Sequence, residues 1–192
     1  MTTPPTIETP RLFLRPWRDS DMPAFAAMNA DERVIEFFPK RLERAESDAV
    51  AAAIRQRMEQ RGFGFWAVEA PGVADFIGFV GLSVPMFESH FTPCVEIGWR
   101  LAFAHWGHGY ATEAARAALA FGFERLGLEE IVSFTVPKNA PSRHVMEKLG
   151  MTRDEADDFE HPQLPQGHPI RRHVLYRLSR GQWTRTATSV SC

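Results

Sequence analysis

The chain has 192 residues, a formal net charge of −2, and 44% hydrophobic, 24% charged and 11% aromatic residues. That length suits one domain, 1–192, with a single sizeable core. The charge balance excludes a global basic field for nucleic acid or an acidic membrane surface, and no apolar stretch is long enough to span a bilayer. The segment Met1-Thr2-Thr3-Pro4-Pro5 lacks the basic-then-apolar pattern of a secretory leader. The only cysteines, Cys94 and Cys192, do not make a disulfide framework, so a reducing cytoplasm is expected.

In chain order, Arg11 to Arg15 reads as a first strand. Asp19-Ser20-Asp21 can cap a helix that takes Pro23 in its first turn and carries Phe25, Ala26 and Met28. A second helix is predicted from about Ala45 to Arg61, with Val50, Ile54 and Met58 on one face and Gly62 ending it. Strands are predicted at Phe63 to Val68 and Phe76 to Val84, joined by a turn at Pro71-Gly72. Pro85 to Pro93 reads as a loop before an apolar strand from Val95 to Phe103.

Next comes Trp106-Gly107-His108-Gly109-Tyr110-Ala111-Thr112-Glu113-Ala114, which opens a helix with apolar positions at Ala111, Ala114, Ala115, Ala118, Leu119 and Phe123. A strand, a tight glycine turn and a helix N-terminus together make an anion site, because the turn and the first helical residues expose unpaired N–H groups. The Lys-Ser/Thr of an ATP-binding phosphate loop is missing. Thr112 stands where a third dinucleotide-fold glycine would be. After a strand at Ile131 to Val136, the segment Asn139-Ala140-Pro141-Ser142-Arg143-His144-Val145-Met146 opens a further helix. Residues 155–170 read as a loop, and Arg172 to Leu178 as the last strand. The Ser/Thr-rich tail, 181–192, is expected to fray.

The glycine-turn and Asn139 segments, in this order and separation, resemble the GCN5-related N-acetyltransferase (GNAT) superfamily. More narrowly, they resemble its RimJ/RimL-like branch of ribosomal-protein alanine acetyltransferases. Thr9-Pro10-Arg11-Leu12-Phe13-Leu14-Arg15-Pro16-Trp17, Ile77-Gly78-Phe79-Val80-Gly81-Leu82 and Glu96-Ile97-Gly98-Trp99 extend the likeness over about residues 9–178. The resemblance implies an α+β fold, the GNAT fold, with a central mixed, splayed sheet of about seven strands flanked by about four helices. It implies acetyl-CoA as co-substrate and direct acetyl transfer to a primary amine of a protein N-terminus or small molecule, with no metal.

Carried over residue by residue, the backbone of Gly107, His108, Gly109, Tyr110, Ala111 and Thr112 would cradle the pyrophosphate. Trp106 stands where the family pattern has Gln or Arg. The strand near Leu101, Ala102 and Phe103 would pair with the pantetheine amides. Asn139 would contact the pantetheine or fix the turn. Arg143 would reach a CoA phosphate or stay solvated.

A neutral amine, a donor for the oxyanion and a proton for the thiolate are the chemical needs. Glu96, flanked by Val95 and Ile97, is the candidate base, acting through water; its alternative role is to face away and pair with an arginine. Glu88 and His90 are lesser candidates. Ser142 is the candidate thiolate acid, with helix capping as its structural alternative. The tyrosine that many family members use falls at Met146, which leaves solvent as the other proton source and a non-catalytic acyl-CoA-binding module as the alternative function. Phe37 and Phe38 are candidate acceptor contacts. Cys94 reads as a structural thiol. The histidines, including His161, His168 and His173, lack metal-ligand spacing. Asp154, Glu155, Asp157, Asp158 and Glu160 read as a solvated acidic loop. A monomer or a homodimer is expected, the latter through a sheet edge left by the last strand.

Overall fold

The computed structural model describes residues 4–189, with side chains described through 185. Cys192 and the first three residues of the leader comparison lie outside the described residues. By internal contacts the chain forms two compact units. The first takes residues up to Ser83 together with Gly98–Ala118; the second takes Val84–Ile97 and the chain from Leu119 onward.

The first unit begins with β1 (Ile7–Glu8) and β2 (Phe13–Arg15), followed by the helices α1 (Met22–Ala30), α2 (Glu32–Ile35) and α3 (Arg44–Arg61). Strands β3 (Phe65–Ala70) and β4 (Ala74–Ser83) pair antiparallel, as do β2 with β3 and β1 with β2. Strand β5 (Glu96–Leu101) starts in the second unit and ends in the first, where α4 (Tyr110–Ala120) also begins.

Local chemistry explains these boundaries. Pro23 sits in the first turn of α1, where its missing N–H costs nothing. Glu43 and Glu46 form a capping box at the start of α3, and Gly62 closes that helix at φ 74°. The buried line of α3 is Ser47, Ala51, Ile54 and Met58; Val50, expected on that face, is 38% exposed. The core gathers Leu12, Leu14, Phe25, Trp66, Ile77 and Leu82, with the Trp17 ring edge-on to Phe25 at 5.0 Å. Strand β4 approaches β5 very closely at Gly78. A Cβ there, at φ 141°, would lie 2.2 Å from the Arg100 carbonyl oxygen.

In the second unit, β6 (Glu130–Thr135) lies parallel to the start of β5, with Glu96 opposite Val132. Helix α5 (Ala140–Lys148) follows, then β7 (Thr152–Arg153), β8 (Phe159–Glu160), β9 (Arg172–Ser179) and α6 (Arg180–Ser189). The last strand is no free edge: β9 pairs with β6 along one side and with β7 and β8 along the other. This removes the edge argument for a homodimer. The tail expected to fray carries α6, where Trp183 stacks on Phe123 at 5.8 Å. The core here is Phe91, Val132, Phe159 and Leu175, with Phe87, Cys94 and Phe134 packed against it.

Nine strands and six α-helices are present among the described residues, against about seven and four expected, and the sheet pairing is mostly antiparallel. The additional elements are short or terminal ones, such as β1, β8, α2 and α6, that carry little periodic signal.

Candidate active site

In the first unit, β5 leads through a 3₁₀ turn at Phe103–His105 into the glycine turn. Gly107 and Gly109 both have positive φ, 78° and 80°, which a side chain would oppose. Nothing lies within 4 Å of where a Gly107 Cβ would be, and residues 106–109 are exposed. Glu113 N–H donates to the Gly109 carbonyl at 3.0 Å. The amides ahead of it belong to the turn and to the first helical residues, the positions that helix geometry leaves without partners, at the positive end of the α4 dipole. A tetrahedral anion is the ligand this arrangement suits.

The turn is braced from β2's approach. Arg11 donates from Nη1 to the His108 carbonyl at 3.0 Å and from Nε to Glu113 at 2.6 Å, and Thr9 Oγ1 donates to Glu113 at 2.7 Å. Burial works to raise the Glu113 pKa, but the hydrogen bonds from Thr9 and Arg11 outweigh it and hold the carboxyl below its ordinary range. The sequence reading missed this clamp, although Thr9, Arg11 and Glu113 all fall inside the motifs it singled out. An acidic residue in a helix's first turn was the available signal.

Trp106 takes a structural part. Its indole N–H donates to the Leu101 carbonyl at 2.8 Å, tying the turn back to the strand. That carbonyl keeps a second lone pair, so the bond does not decide the expected pairing of the strand near Leu101 with pantetheine. Ala102 N–H likewise donates to the Ile77 carbonyl at 2.9 Å. Phe103 stacks with Trp106 at 5.2 Å and lies under the Arg33 guanidinium at 4.0 Å. Phe38 is 39% exposed and lies 3.8 Å under the Arg100 guanidinium; Phe37 is half-buried.

In the second unit, Asn139 is the N-cap of α5. Its Oδ1 accepts from Ser142 N–H at 3.2 Å while its Nδ2 donates to Thr135 Oγ1 at 2.9 Å. Of the two roles left open for Asn139, the structure supplies the turn-fixing one. It also corrects the capping role of Ser142: the cap is Asn139, and the half-buried Ser142 hydroxyl has no hydrogen-bond partner among the described residues. Arg143 is turned to its own unit, with Nη1 on the Pro137 carbonyl at 3.1 Å and Nε on the Tyr176 hydroxyl at 3.3 Å. Met146 is buried in the core at 1% exposure.

Glu96 opens β5 and is half-buried. Burial first, and then the charge of Glu96, push the Cys94 thiol up to about 11 against the pull of Arg177. Cys94 is thus a protonated thiol at neutral pH, in keeping with a structural place. His90 lies 3.5 Å from Asp157, and Glu88 is exposed.

Three acids of the loop are closely ion-paired, while Asp154 and Glu155 are exposed. Asp158 meets Arg153 at 2.6 Å and Arg172 at 3.3 Å, Asp157 meets Arg177 at 2.7 Å, and Glu160 meets Arg171 at 3.2 Å. The His161 and His173 rings lie 5.0 Å apart, tilted by 50°, within the Phe87, Phe134 and Phe159 cluster. No group of three or more His, Cys, Asp and Glu among the described residues is arranged for a metal ion. No helix among them is long and apolar enough to cross a membrane.

This fold and this glycine turn agree with what the chain is similar to. The model of the acetyltransferase (GNAT) domain matches residues 11–152, so the chain belongs to the GNAT acetyltransferase family. It is similar to the FsC-acetyl coenzyme A-N(2)-transacetylase of Aspergillus fumigatus, 31% identical over 188 residues that cover 94% of this chain and 79% of that protein. An acetyltransferase from Agrobacterium tumefaciens has a similar structure, with TM-score 0.72 and 31% identity, covering 91% of this chain and 94% of that one. Mycobacterium smegmatis RimJ, solved in complex with CoA-disulfide, has TM-score 0.75 and covers 97% of this chain and 95% of its own. At 18% identity it shares the fold alone.

Proposed function

We propose that the protein is an acetyl-CoA-dependent N-acetyltransferase, of the RimJ/RimL-like branch, acting on a primary amine in a reducing cytoplasm. The observation that carries this reading is the exposed turn with positive φ at Gly107 and Gly109, opening α4 beneath a strand in a GNAT domain. On this reading the backbone of Gly107 to Thr112 binds the pyrophosphate of the co-substrate. Glu96 takes the ammonium proton through water, so that the free amine attacks the thioester carbonyl. The C–S bond then breaks, and the proton that the nitrogen sheds on forming the amide ends on the thiolate, relayed by the Ser142 hydroxyl or by solvent. No covalent acyl-enzyme is needed, which agrees with the high pKa of the Cys94 thiol.

Thermal unfolding with millimolar acetyl-CoA, against ATP and NAD, tests the ligand. A ligand at about 100 times its Kd adds about 2.7 kcal/mol, which for a chain of this size is a rise of about 5–10 °C. Gly109→Trp, at φ 80° and with Arg11 Nη2 3.4 Å from the Cβ position, is expected to remove the rise. Thiol release over an amine panel tests transfer. The buried Met146 favours one second reading, an acyl-CoA-binding module without turnover. A full thermal response with no thiol release above buffer on any amine would establish it. No response to acetyl-CoA would sink both.

A further inference from the structure

Among the described residues of the first unit, the guanidinium of Arg100 has no counter-ion. Arg100 Nη1 donates to the Asn29 side-chain oxygen at 2.6 Å, and Asn29, fully buried, passes its own amide to Ser47 Oγ at 2.9 Å. Arg100 Nε is sealed from solvent and has no acceptor. It is the one such buried side-chain atom among the described residues. No carboxylate among them lies within ion-pair distance of Arg100; the neutral Asn29 oxygen is all that faces the charge. Burial pushes its pKa down to about 10, so the charge remains at neutral pH.

A largely desolvated guanidinium without a carboxylate is costly, and an oxyanion arriving from outside the chain would offset that cost. The surroundings indicate what kind. The Phe38 ring lies 3.8 Å over the guanidinium, and Phe79 lies at 5.5 Å. With a ring covering its face, the guanidinium offers its edge, the fork that takes an oxyanion such as a carboxylate through two parallel hydrogen bonds. Phe38 is itself 39% exposed, so the ring that covers the face of the guanidinium reaches the surface. A second stack, Arg33 on Phe103 at 4.0 Å, joins α2 to the segment that leads into the glycine turn. Arg100 therefore lies in the wall made by α2, the residues just after it, and the strand feeding the turn.

We propose that Arg100 anchors a carboxylate of the acceptor, with Asn29 fixing the guanidinium and Phe38 and Phe79 forming the apolar wall, so that the amine substrate is an amino acid or a similar amino acid-like acid rather than a polyamine. This rests on the acetyl-transfer reading above, since it names that reaction's acceptor class.

The test uses matched probes on the full chain. N-acetyl amino acids with small and aromatic side chains, their amides, and inorganic phosphate are compared by thermal unfolding. Free amino acids and amino acid amides are compared by thiol release with acetyl-CoA. The acids are expected to raise the midpoint and the amides and phosphate to leave it unchanged. In turnover, kcat/KM should favour the acid by about 10- to 100-fold, as for a hydrogen-bonded charge pair. Arg100→Met should bring that ratio to about one while the midpoint rise with acetyl-CoA survives, and Arg100→Lys should restore part of the preference. Acid and amide behaving alike in the parent chain, a preference that survives Arg100→Met, or phosphate matching the acids would overturn the proposal. A response to acetyl-CoA without acid preference sinks the Arg100 assignment alone. An acid response without any acetyl-CoA response sinks the transfer reading alone.

Discussion

Arg15 and Arg100 are both guanidinium groups turned into the first unit, and the chain treats them in opposite ways. Arg15, 4% exposed, meets Asp21 through two parallel hydrogen bonds of 2.9 and 2.8 Å, Glu69 at 2.7 Å and the Asp75 carbonyl at 2.6 Å. Burial alone would lower its pKa, but the hydrogen bonds to Asp21 and Glu69 outweigh it and raise it. Arg100 has a carboxamide and two aromatic rings, and burial acts on it unopposed. The first pattern is that of a structural tie between β2, the start of α1 and β3. The second is that of half a binding site.

The comparison breaks most visibly through stability. Arg15→Met leaves Asp21, 1% exposed, and Glu69 without their shared cation, and is expected to lose about 3–5 kcal/mol, read by denaturant unfolding. A loss under 1 kcal/mol would show that the network is not a structural tie. Gly78→Ala tests the backbone beneath Arg100. Its Cβ would meet the Arg100 carbonyl at 2.2 Å in a disfavoured φ, for a loss of about 1–3 kcal/mol. Arg100→Met should cost much less. It removes a desolvated charge and an orphaned N–H, a gain of about 1–3 kcal/mol, but gives up the stack on Phe38, about 0.5–2 kcal/mol, and leaves the buried Asn29 oxygen without its donor, about 1–3 kcal/mol. The net loss should therefore stay under about 2 kcal/mol. A loss as large as that of Arg15→Met would make the two arginines equivalent and remove the basis of the contrast.

The sequence made some of this legible and hid the rest for a physical reason. The glycine turn is legible because the demand for positive φ is local, and Gly107 and Gly109 advertise it. The helix and strand centres are legible because apolar period is local too. The partner of Arg15 sits six residues away at Asp21, but its second partner, Glu69, comes from β3, and no spacing rule joins them. Asp21 itself reads as a helix cap. Arg100 is harder still, because its distinguishing feature is a missing carboxylate, which only the assembled neighbourhood of Asn29, Phe38 and Phe79 reveals. The same holds for the acidic loop. Five acids in seven residues read as solvated, yet Arg153, Arg171, Arg172 and Arg177 pair closely with three of them, Asp157, Asp158 and Glu160, from the flanking chain and β9. In the Ser/Thr-rich tail, composition gives no sign of the contact that Trp183 makes with Phe123.

That acidic loop supplies the mildest test of the contrast, in the second unit and through pH. Asp158, with its side chain 4% exposed, pairs with Arg153 and Arg172. The hydrogen bond from Arg153 is the main cause that holds its pKa below the ordinary carboxylate value of 3.8. A carboxyl whose pKa is lower folded than unfolded adds stability that is present above the unfolded value and lost as pH falls through the folded one. The midpoint of thermal unfolding should therefore hold down to about pH 4 and drop below it, in part because of this pair. Asp158→Asn should lower the midpoint at pH 7 and flatten the acid limb. Arg100, having no carboxylate to lose, should add nothing to that limb, so the acid profile of Arg100→Met should run parallel to that of the parent chain. A profile that converges with the parent's below pH 4 would mean that a carboxylate reaches Arg100 in solution after all, and that its partner is part of the chain rather than a substrate.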